Sequence, residues 1–240
     1  MALRPVSRRS VPDEVFEQLL GEMVGGALAA DEPLPSERRL AEVLGVSRPA
    51  VREAIQRMAQ AGLVDVRHGD ATMVRDFRRR AGLDLLPRLL LPGGQLDLAV
   101  ARSVLEARLH IGPKIAELAA QRGGRDTAAA LDDTVKAMAG TEDPIVLQHR
   151  ALDYWDLVVD GADSIVFRMM FNGLRLAYQP AIEALATVMA PEVGNLEAYR
   201  TLANAIRAAD SPAARDAAEE LLRPATAQML AAIDMLQEDR

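Results

Sequence analysis

Three arginines, Arg38, Arg48 and Arg52, lie close together in the first third of the chain, and Ser47 directly precedes the second of them. A guanidinium group presents a planar fork of N–H donors that matches the oxygens of a phosphate or the acceptor edge of a guanine. A serine hydroxyl can donate to a phosphate as well. Residues of these types at this spacing favour recognition of a polyanion.

Two short helices are predicted to position these arginines. Ser36 can cap the first helix, with Glu37 in its first turn, and Gly45 ends it. Ser47 can cap the second helix, and Pro49 stands in its first turn, where a missing N–H costs nothing. The second helix has an apolar face with helical spacing, formed by Val51, Ala54, Ile55 and Met58.

Arg48 and Arg52 stand one helical turn apart, away from that apolar face. Two helices joined by a Gly-containing turn, with arginines at the start of the second, are typical of a helix-turn-helix whose second helix enters the major groove. Residues 63–67 and 72–75 alternate as strands around His68-Gly69-Asp70, which predicts a hairpin beside the second helix. The pattern therefore predicts a winged helix-turn-helix domain that binds DNA.

This stretch resembles the GntR family of bacterial winged-helix transcription regulators. The resemblance rests on LPSERRLAEVLGVSRPAVREAI and the QRMAQAGLVDVRHGDATMV that follows, and it covers about residues 11 to 76. It implies that the arginines contact phosphates or guanine edges, that Ser47 contacts a phosphate, and that His68 with Gly69 enters the minor groove. Ala50 departs from the pattern, since many relatives have a hydroxyl residue there. The residues expected at DNA are Arg38, Ser47, Arg48, Pro49, Ala50, Arg52, His68 and Gly69.

Composition narrows the classes of protein that remain. The chain has 240 residues, with 28 lysines and arginines, 35 aspartates and glutamates, a net charge of −7 and no cysteine. The acidic excess lies after residue 80, so local arginines decide the potential of the first part. The absence of cysteine excludes disulfides and thiolate chemistry. Without a secretory signal or a long apolar run, we expect a cytoplasmic protein that binds no membrane.

From residue 78 onward the pattern changes to almost continuous helix. Six helices are predicted, over residues 96–121, 126–139, 144–159, 164–185, 195–209 and 212–236. The predicted fold class is mainly α, with an N-terminal winged helix-turn-helix domain and a C-terminal antiparallel α-helical bundle. The predicted boundaries are 10–77 for the DNA-binding domain, 78–95 for a linker and 96–240 for the bundle.

The bundle resembles the all-helical effector-binding domain of the FadR-type branch of GntR regulators, and ARSVLEARLHIGPKIAELAA resembles its first long helix. Many members of this branch hold a metal ion between one aspartate and three histidines. The positions that match here are Leu152, Asp156, Tyr199 and Ala225. Only the aspartate among them can bind a metal, and His110 and His149 lack the H-x3-H spacing. We therefore expect no bound metal and no cofactor.

The stretch LDYWDLVVDGADSIVFRMMFNGLRLAYQP resembles the fatty-acid-responsive members of that branch more closely. They respond to long-chain acyl-CoA and also lack the metal ligands. Arg102 matches an arginine that the branch turns toward its ligand; an ion pair with Glu106 is the structural alternative. The final helix, with LLRPATAQMLAAI, lacks the glycine, serine and tryptophan of acyl-CoA-binding relatives, so a free fatty acid stays open. The expected contacts of the apolar effector are Arg102, Trp155, Met169, Phe171 and Tyr178.

These observations predict a homodimer that binds a near-palindromic double-stranded DNA operator and releases it, as a repressor does, when a fatty acyl-CoA or other apolar effector binds. The first alternative is a regulator of the same architecture that senses a small organic acid. The second is an enzyme, because His149, Asp153, Asp156 and Asp160 form a polar cluster on one predicted helix. No nucleophile elbow, P-loop or metal-ligand pair accompanies that cluster, so we expect no enzymatic activity.

Overall fold

A computed structural model describes residues 10–66 and 71–238. The chain divides into two compact units, residues 1–96 and 97–240, and each has its own hydrophobic core. The mainly α fold class predicted from the sequence is confirmed, with a helix-and-hairpin unit followed by an all-helical unit.

The first unit starts with three helices and two short strands: α1 (Val11–Val24), α2 (Glu37–Leu44), α3 (Arg48–Gln60), β1 (Val64–Asp65) and β2 (Met73–Val74). The strands pair antiparallel, with Val64 opposite Val74. An isolated bridge joins Pro33 to Met73 beside them. Residues 67–70, the predicted tip of the wing, lie outside the described residues.

Serine caps and one glycine set the ends of the predicted helix-turn-helix. The side chains of Ser36 and Ser47 accept hydrogen bonds from the backbone N–H groups of Arg39 and Ala50, groups that a helix start leaves without a partner. Gly45 ends α2 with a φ of 66°, a left-handed conformation that glycine adopts at little cost. The predicted apolar face of α3 is buried and packs within this unit's core: Val51, Ala54, Ile55 and Met58.

The segment predicted as a linker, residues 78–95, packs as part of the first unit. It contains most of α4 (Phe77–Arg80), all of α5 (Leu86–Leu90), and 3-10 turns at Leu83–Leu85 and Pro92–Gly94. Leu85 is buried in the core of the first unit. Arg88 pairs with Glu17 of α1, and its Cζ atom lies 4.4 Å from the centroid of the Phe16 ring.

The second unit is built from seven α-helices within its described residues: α6 (Leu98–Arg122), α7 (Gly124–Ala139), α8 (Pro144–Gly161), α9 (Ile165–Tyr178), α10 (Ala186–Val193), α11 (Leu196–Arg207) and α12 (Ser211–Glu238). The long helices α6 and α12 pack along each other, α11 packs on α7 and α12, and α8 packs on α6, α7 and α10. In the core, the Tyr154 hydroxyl donates to the backbone oxygen of Tyr199 at 2.9 Å. The two rings meet edge to face with centroids 4.9 Å apart.

The predicted helix over residues 164–185 is wrong in one respect that matters for function. α9 ends at Tyr178, a 3-10 turn follows at Gln179–Ala181, and α10 is a separate helix that the sequence analysis does not predict. Pro180 lies in the turn and has no N–H to continue the hydrogen bonds of α9. α10 packs on α8 and α12 and places Glu192 in the interior of the bundle.

Candidate nucleic-acid interface and ligand cavity

The start of α3 carries the residues predicted to contact DNA. Ser47, Arg48, Pro49 and Arg52 are exposed there, and Ala50 is half-buried. Ser47 uses its hydroxyl oxygen as an acceptor for the helix cap, which leaves the hydroxyl proton available to a phosphate. The positive end of the helix dipole lies at the same place and favours an anion.

Arg52 is held in place by Glu37 at the start of α2. The Arg52 Nε donates to Oε1 of Glu37 at 3.0 Å, and its Nη2 donates to Oε2 at 2.8 Å. The hydrogen bond from Arg52 lowers the pKa of Glu37, and the positive charges of Arg52 and Arg48 act in the same direction. This pair joins α2 to α3 and orients the Arg52 guanidinium before any ligand arrives.

Arg38 and Arg48 are held much more loosely. Arg38 pairs with Glu42 one turn along α2 at 3.1 Å, with the arginine side chain 73% exposed. Such surface pairs are worth only about 0–1 kcal/mol, so this guanidinium can reorient toward a phosphate. Arg48 is exposed, and no ion pair involves it within residues 10–66 and 71–238. His68 and Gly69 lie outside the described residues, and the predicted DNA contacts of all eight positions stay predictions.

The second unit contains a cavity of about 120 Å³ between α6, α8, α9, α10 and α12. Its walls are mostly aliphatic and aromatic. Several of the lining residues come from α6 at helical spacing, and α9 supplies much of another wall. The residues that line it are Val104, Arg108, Ile111, Gly112, Ile115, Gln148, Ala151, Leu152, Trp155, Met170, Phe171, Leu174, Arg175, Tyr178, Met189, Glu192, Val193 and Leu222.

An ion pair between Arg108 and Glu192 lies in the wall of this cavity. The Glu192 side chain is 2% exposed and that of Arg108 24%. Arg108 also donates from Nη1 to the Thr226 hydroxyl at 2.9 Å. Burial raises the pKa of Glu192, and the neighbouring Arg108 charge opposes that rise. The pair links α6 to α10, with a further hydrogen bond to α12.

Two more polar groups of the lining are satisfied by each other. The Tyr178 hydroxyl donates to Oε1 of Gln148 at 2.5 Å, and the Gln148 amide donates to the backbone oxygen of Ile182 at 3.0 Å. Burial raises the pKa of the Tyr178 hydroxyl well above its ordinary value, while the Arg108 charge lowers it and the Glu192 charge raises it. The tyrosine is therefore a neutral hydrogen-bonding group close to the Arg108–Glu192 pair.

Two buried polar atoms have no hydrogen-bond partner within the part of the chain that the structure describes. They are Oε2 of Glu192 and the hydroxyl of Tyr199. Burial is the main cause that raises the pKa of the Tyr199 hydroxyl, and the Glu192 charge acts in the same direction. Unsatisfied buried polar atoms are rare in folded proteins and indicate a place where water or a ligand binds.

Of the five residues expected to contact an effector, Trp155, Phe171 and Tyr178 line the cavity. Arg102 and Met169 are not among its lining residues, so their contacts with an effector stay predictions. Arg102 pairs with Asp234 of α12 instead of facing the cavity, so an ion pair is found there, but with a different partner from Glu106. Met169 is 63% exposed, and its neighbour Met170 lines the cavity in its place.

Arg108 and Glu192 are two charged cavity residues that the sequence analysis does not predict. For Arg108 a signal was present, because Val104, Arg108, Ile111 and Ile115 recur at the spacing of one helical face. For Glu192 there was none, since the helix that carries it was not predicted.

The residues at the expected metal positions do not fit a metal ion. Leu152 and Ala225 have no donor atom, and the Tyr199 hydroxyl is fully buried in the core. The remaining carboxylate, Asp156, accepts a hydrogen bond from Arg168 at 2.6 Å and pairs with Arg175. Within residues 10–66 and 71–238, no group of three or more His, Asp or Glu side chains is placed to hold a metal.

Asp153, Asp156 and Asp160, the acidic residues on which the enzyme alternative rests, join α8 to α9. Asp160 pairs with Arg168 at 2.5 Å, and Asp153 pairs with Arg175 at 3.6 Å. Asp156 pairs with both arginines. These acidic groups are thus occupied by arginines of the neighbouring helix.

None of the helices in the described ranges is both long and apolar enough to cross a membrane.

A hairpin-flanked helix-turn-helix with exposed arginines, joined to an all-helical unit, defines the class of winged-helix transcription regulators. Residues 12–74 match the family described as bacterial regulatory proteins, gntR family, and residues 103–224 match the FCD domain. The chain belongs to the GntR family, and it is a DNA-binding transcription regulator. Regulators of this family bind DNA operators and typically dimerise.

Relatives support this assignment along the whole chain. The HTH-type transcriptional regulator Mce2R of Mycobacterium tuberculosis is 55% identical over 97% of this chain and 97% of its own length. The fatty acid metabolism regulator protein of Yersinia enterocolitica is 29% identical over 60% of this chain and 59% of its own. The corresponding protein of Vibrio cholerae is 36% identical over 33% of this chain and 29% of its own.

Solved structures with similar folds have low sequence identity. Lar of Listeria monocytogenes, described as controlling expression of the agr system, has a TM-score of 0.59 and 15% identity over 93% of this chain and 98% of its own. McbR/YncC of E. coli has a TM-score of 0.50 and 17% identity over 96% of this chain and 100% of its own. At these identities the likeness shows the fold.

Proposed function

We propose that the chain is a dimeric transcription regulator whose hold on its operator is relieved by a fatty acid or fatty acyl-CoA bound in the cavity of the second unit. The observation that carries this proposal is the cavity itself, with its aliphatic and aromatic lining and its few polar groups. A cavity of this composition selects an apolar chain with one polar end. Such a ligand gains about 0.8 kcal/mol for each buried CH2 group.

The size of the cavity sets the expected chain length. A volume of about 120 Å³ is slightly below the ~150 Å³ of an apolar cavity that holds benzene. The cavity therefore takes roughly six non-hydrogen atoms without rearrangement. Octanoic acid, with ten, already requires one wall of the cavity to move outward, and a longer chain requires a larger movement.

α9 is the wall best suited to move. Only Gly173 and Ala177 of this helix are buried, and ion pairs from Arg168 and Arg175 tie it to α8. Its outer surface exposes apolar side chains, including Ile165, Val166 and Met169. Because few residues of α9 are buried, its displacement disrupts less of the core than displacement of α6 or α12, and long acyl chains are included among the proposed effectors.

The likeness to fatty acid metabolism regulator proteins, although partial, supports the lipid class of effector. Ligand binding would act on operator affinity by changing the separation of the two recognition helices in a dimer on a near-palindromic site. A ligand that binds the DNA-free state with about 5.5 kcal/mol of preference moves the equilibrium between the two states from 1:99 to 99:1.

The test is a titration of the operator complex by fluorescence anisotropy. The operator is selected from random duplexes with the purified protein, and the complex is challenged with saturated fatty acids of six to sixteen carbons, with their CoA thioesters, and with lactic, citric and gluconic acids. We expect release by at least one acyl series and none by the hydroxy acids. Release by the hydroxy acids alone would replace the proposal with a small-acid sensor, and no release by any arm would contradict it.

A further inference from the structure

The Arg108–Glu192 pair has the properties of a binding site for a ligand head group. Arg108 lines the cavity, and a guanidinium can bind a carboxylate through two parallel hydrogen bonds. Of its present partners, Thr226 is neutral and Glu192 is the carboxylate. The cavity has one other arginine, Arg175, which lies between two carboxylates of α8. Arg108 is thus the guanidinium that has a single carboxylate to exchange.

One of the two unsatisfied atoms belongs to this ion pair. Oε2 of Glu192 and the Tyr199 hydroxyl are buried without partners in residues 10–66 and 71–238. Glu192 is itself more than nine-tenths buried and lines the cavity. A carboxylate bound to Arg108 brings only acceptor oxygens, so Oε2 of Glu192 gains a hydrogen bond with it only when one of the two carboxyl groups is protonated.

We infer that the effector is a free monocarboxylic acid with an aliphatic chain, whose carboxylate enters head-first and binds Arg108 in exchange for Glu192. This inference rests on the proposed function and decides between its two ligand classes. A CoA thioester has a neutral carbonyl where the free acid has a carboxylate, so it cannot form the bidentate pair. Its large polar nucleotide would also have to extend from a corner where the Glu192 side chain is 2% exposed.

Exchange at Arg108 leaves Glu192 without its cation. Two carboxylates beside one guanidinium repel each other unless one of them is protonated. Burial already raises the pKa of Glu192, so Glu192 is the group that takes up the proton and can then donate to the ligand. The displaced residue is the penultimate one of α10, so ligand binding loosens the link between α6 and α10.

The experiment measures binding of octanoic acid, octanoyl-CoA and 1-octanol to the full chain by titration calorimetry. Three variants accompany the wild type: Arg108→Met, Glu192→Gln, and Arg102→Met as the matched control on the same helix but outside the cavity. We expect the wild type to prefer octanoic acid over both other ligands. Arg108→Met should weaken the binding of octanoic acid at least tenfold and change the affinity for 1-octanol by no more than about twofold. Glu192→Gln should tighten the binding of octanoic acid. Arg102→Met should leave the affinities for octanoic acid and 1-octanol unchanged.

Several results would overturn the inference. They are unchanged octanoic acid binding in Arg108→Met, a loss of binding in Arg102→Met instead, or weaker octanoic acid binding in Glu192→Gln. Tighter wild-type binding of octanoyl-CoA would refute the free-acid assignment and leave the proposed function standing. Absence of binding by all three ligands would overturn the inference for this cavity, while the operator titration with chains of six to sixteen carbons decides the proposed function. If Arg108→Met does not fold, the result with Glu192→Gln and the wild-type ligand preference decide.

Discussion

Arg38 and Arg48 of the first unit and Arg108 of the second unit are held in opposite ways. In the first unit Arg38 and Arg48 are exposed, and Glu42, which pairs with Arg38 at 3.1 Å, is itself on the surface. In the second unit Arg108 is largely enclosed and pairs with a glutamate that is 2% exposed. A surface guanidinium can leave its partner at little cost, whereas a buried one must always have a partner.

The difference shows how one residue type can serve two kinds of recognition. An exposed arginine meets DNA without giving up a strong interaction, so its binding energy depends on salt and on the local potential. A buried arginine can accept a new anion only by exchange with the old one. The first arrangement suits reversible binding of DNA. The second suits an effector whose binding must change the packing of the residues around it.

The largest expected effect is on folding stability, and it comes from breaking the buried pair. Arg108→Ala should lower the free energy of unfolding by about 3–5 kcal/mol, because it leaves the buried carboxylate of Glu192 without a cation. The double variant with Glu192→Gln should recover most of that loss. Urea unfolding followed by the fluorescence of the single tryptophan, Trp155, measures both. An equal loss in free energy of unfolding in the single and double variants would show that breaking the Arg108–Glu192 pair is not the cause of the loss.

A smaller effect is expected on operator binding. Arg48→Ala should weaken the operator complex by about 1–3 kcal/mol, the range for a direct base contact, because this arginine is exposed and free to reach DNA. Arg200→Ala, on an exposed face of α11, is the control and should leave operator affinity unchanged. Anisotropy titrations at one fixed salt concentration give the comparison. If both variants bind as the wild type does, Arg48 has no part in DNA recognition.

Two adjacent methionines sharpen the contrast between cavity and surface. Met170 lines the cavity and Met169 is exposed. Met170→Ala should weaken fatty acid binding by about 1 kcal/mol through lost apolar contact, with no change for Met169→Ala. Quenching or enhancement of Trp155 fluorescence on ligand titration is a direct readout, since this residue also lines the cavity. The reverse ranking of the two variants would place the ligand outside the cavity.

The smallest effect is expected at Glu37. Its pKa is lowered from the ordinary 4.5 by the hydrogen bond from Arg52. A lowered carboxyl pKa adds stability above the ordinary value, and that stability is lost as the pH falls through the lowered pKa. Calorimetric unfolding of Glu37→Gln should therefore differ slightly from the wild type at pH 7, and the two should converge as the pH falls below 4.5 and through the lowered pKa of Glu37. A constant difference across this range would mean that the charge of Glu37 is not involved.

A structural feature can be predicted from the sequence when the residues that form it lie close together in the chain. The helix-turn-helix depends on local features, namely the caps at Ser36 and Ser47 and the turn at Gly45, so its elements and exposed arginines follow from spacing. The cavity depends on contacts between distant helices. Arg108 faces Glu192 only because α10 turns back after Pro180 and packs on α12, and no short-range pattern predicts that.

The same reasoning explains why two of the expected effector residues lie outside the cavity. Arg102 and Met169 have the chemistry expected of ligand contacts, but their helices turn them away from the cavity. Arg102 lies near α12 and pairs with Asp234. Residue type identifies the side chains that could contact a ligand. The rotation of each helix in the bundle decides which of these side chains face the cavity.

The central claim is that ligand binding in the second unit and operator binding in the first unit are coupled. Coupling of two binding sites is reciprocal, so the factor by which the acid weakens operator binding must equal the factor by which operator weakens acid binding. The most direct measurement is the Kd of octanoic acid for the protein with and without saturating operator. We predict at least tenfold weaker binding to the operator complex. An identical Kd in the two states would contradict the account.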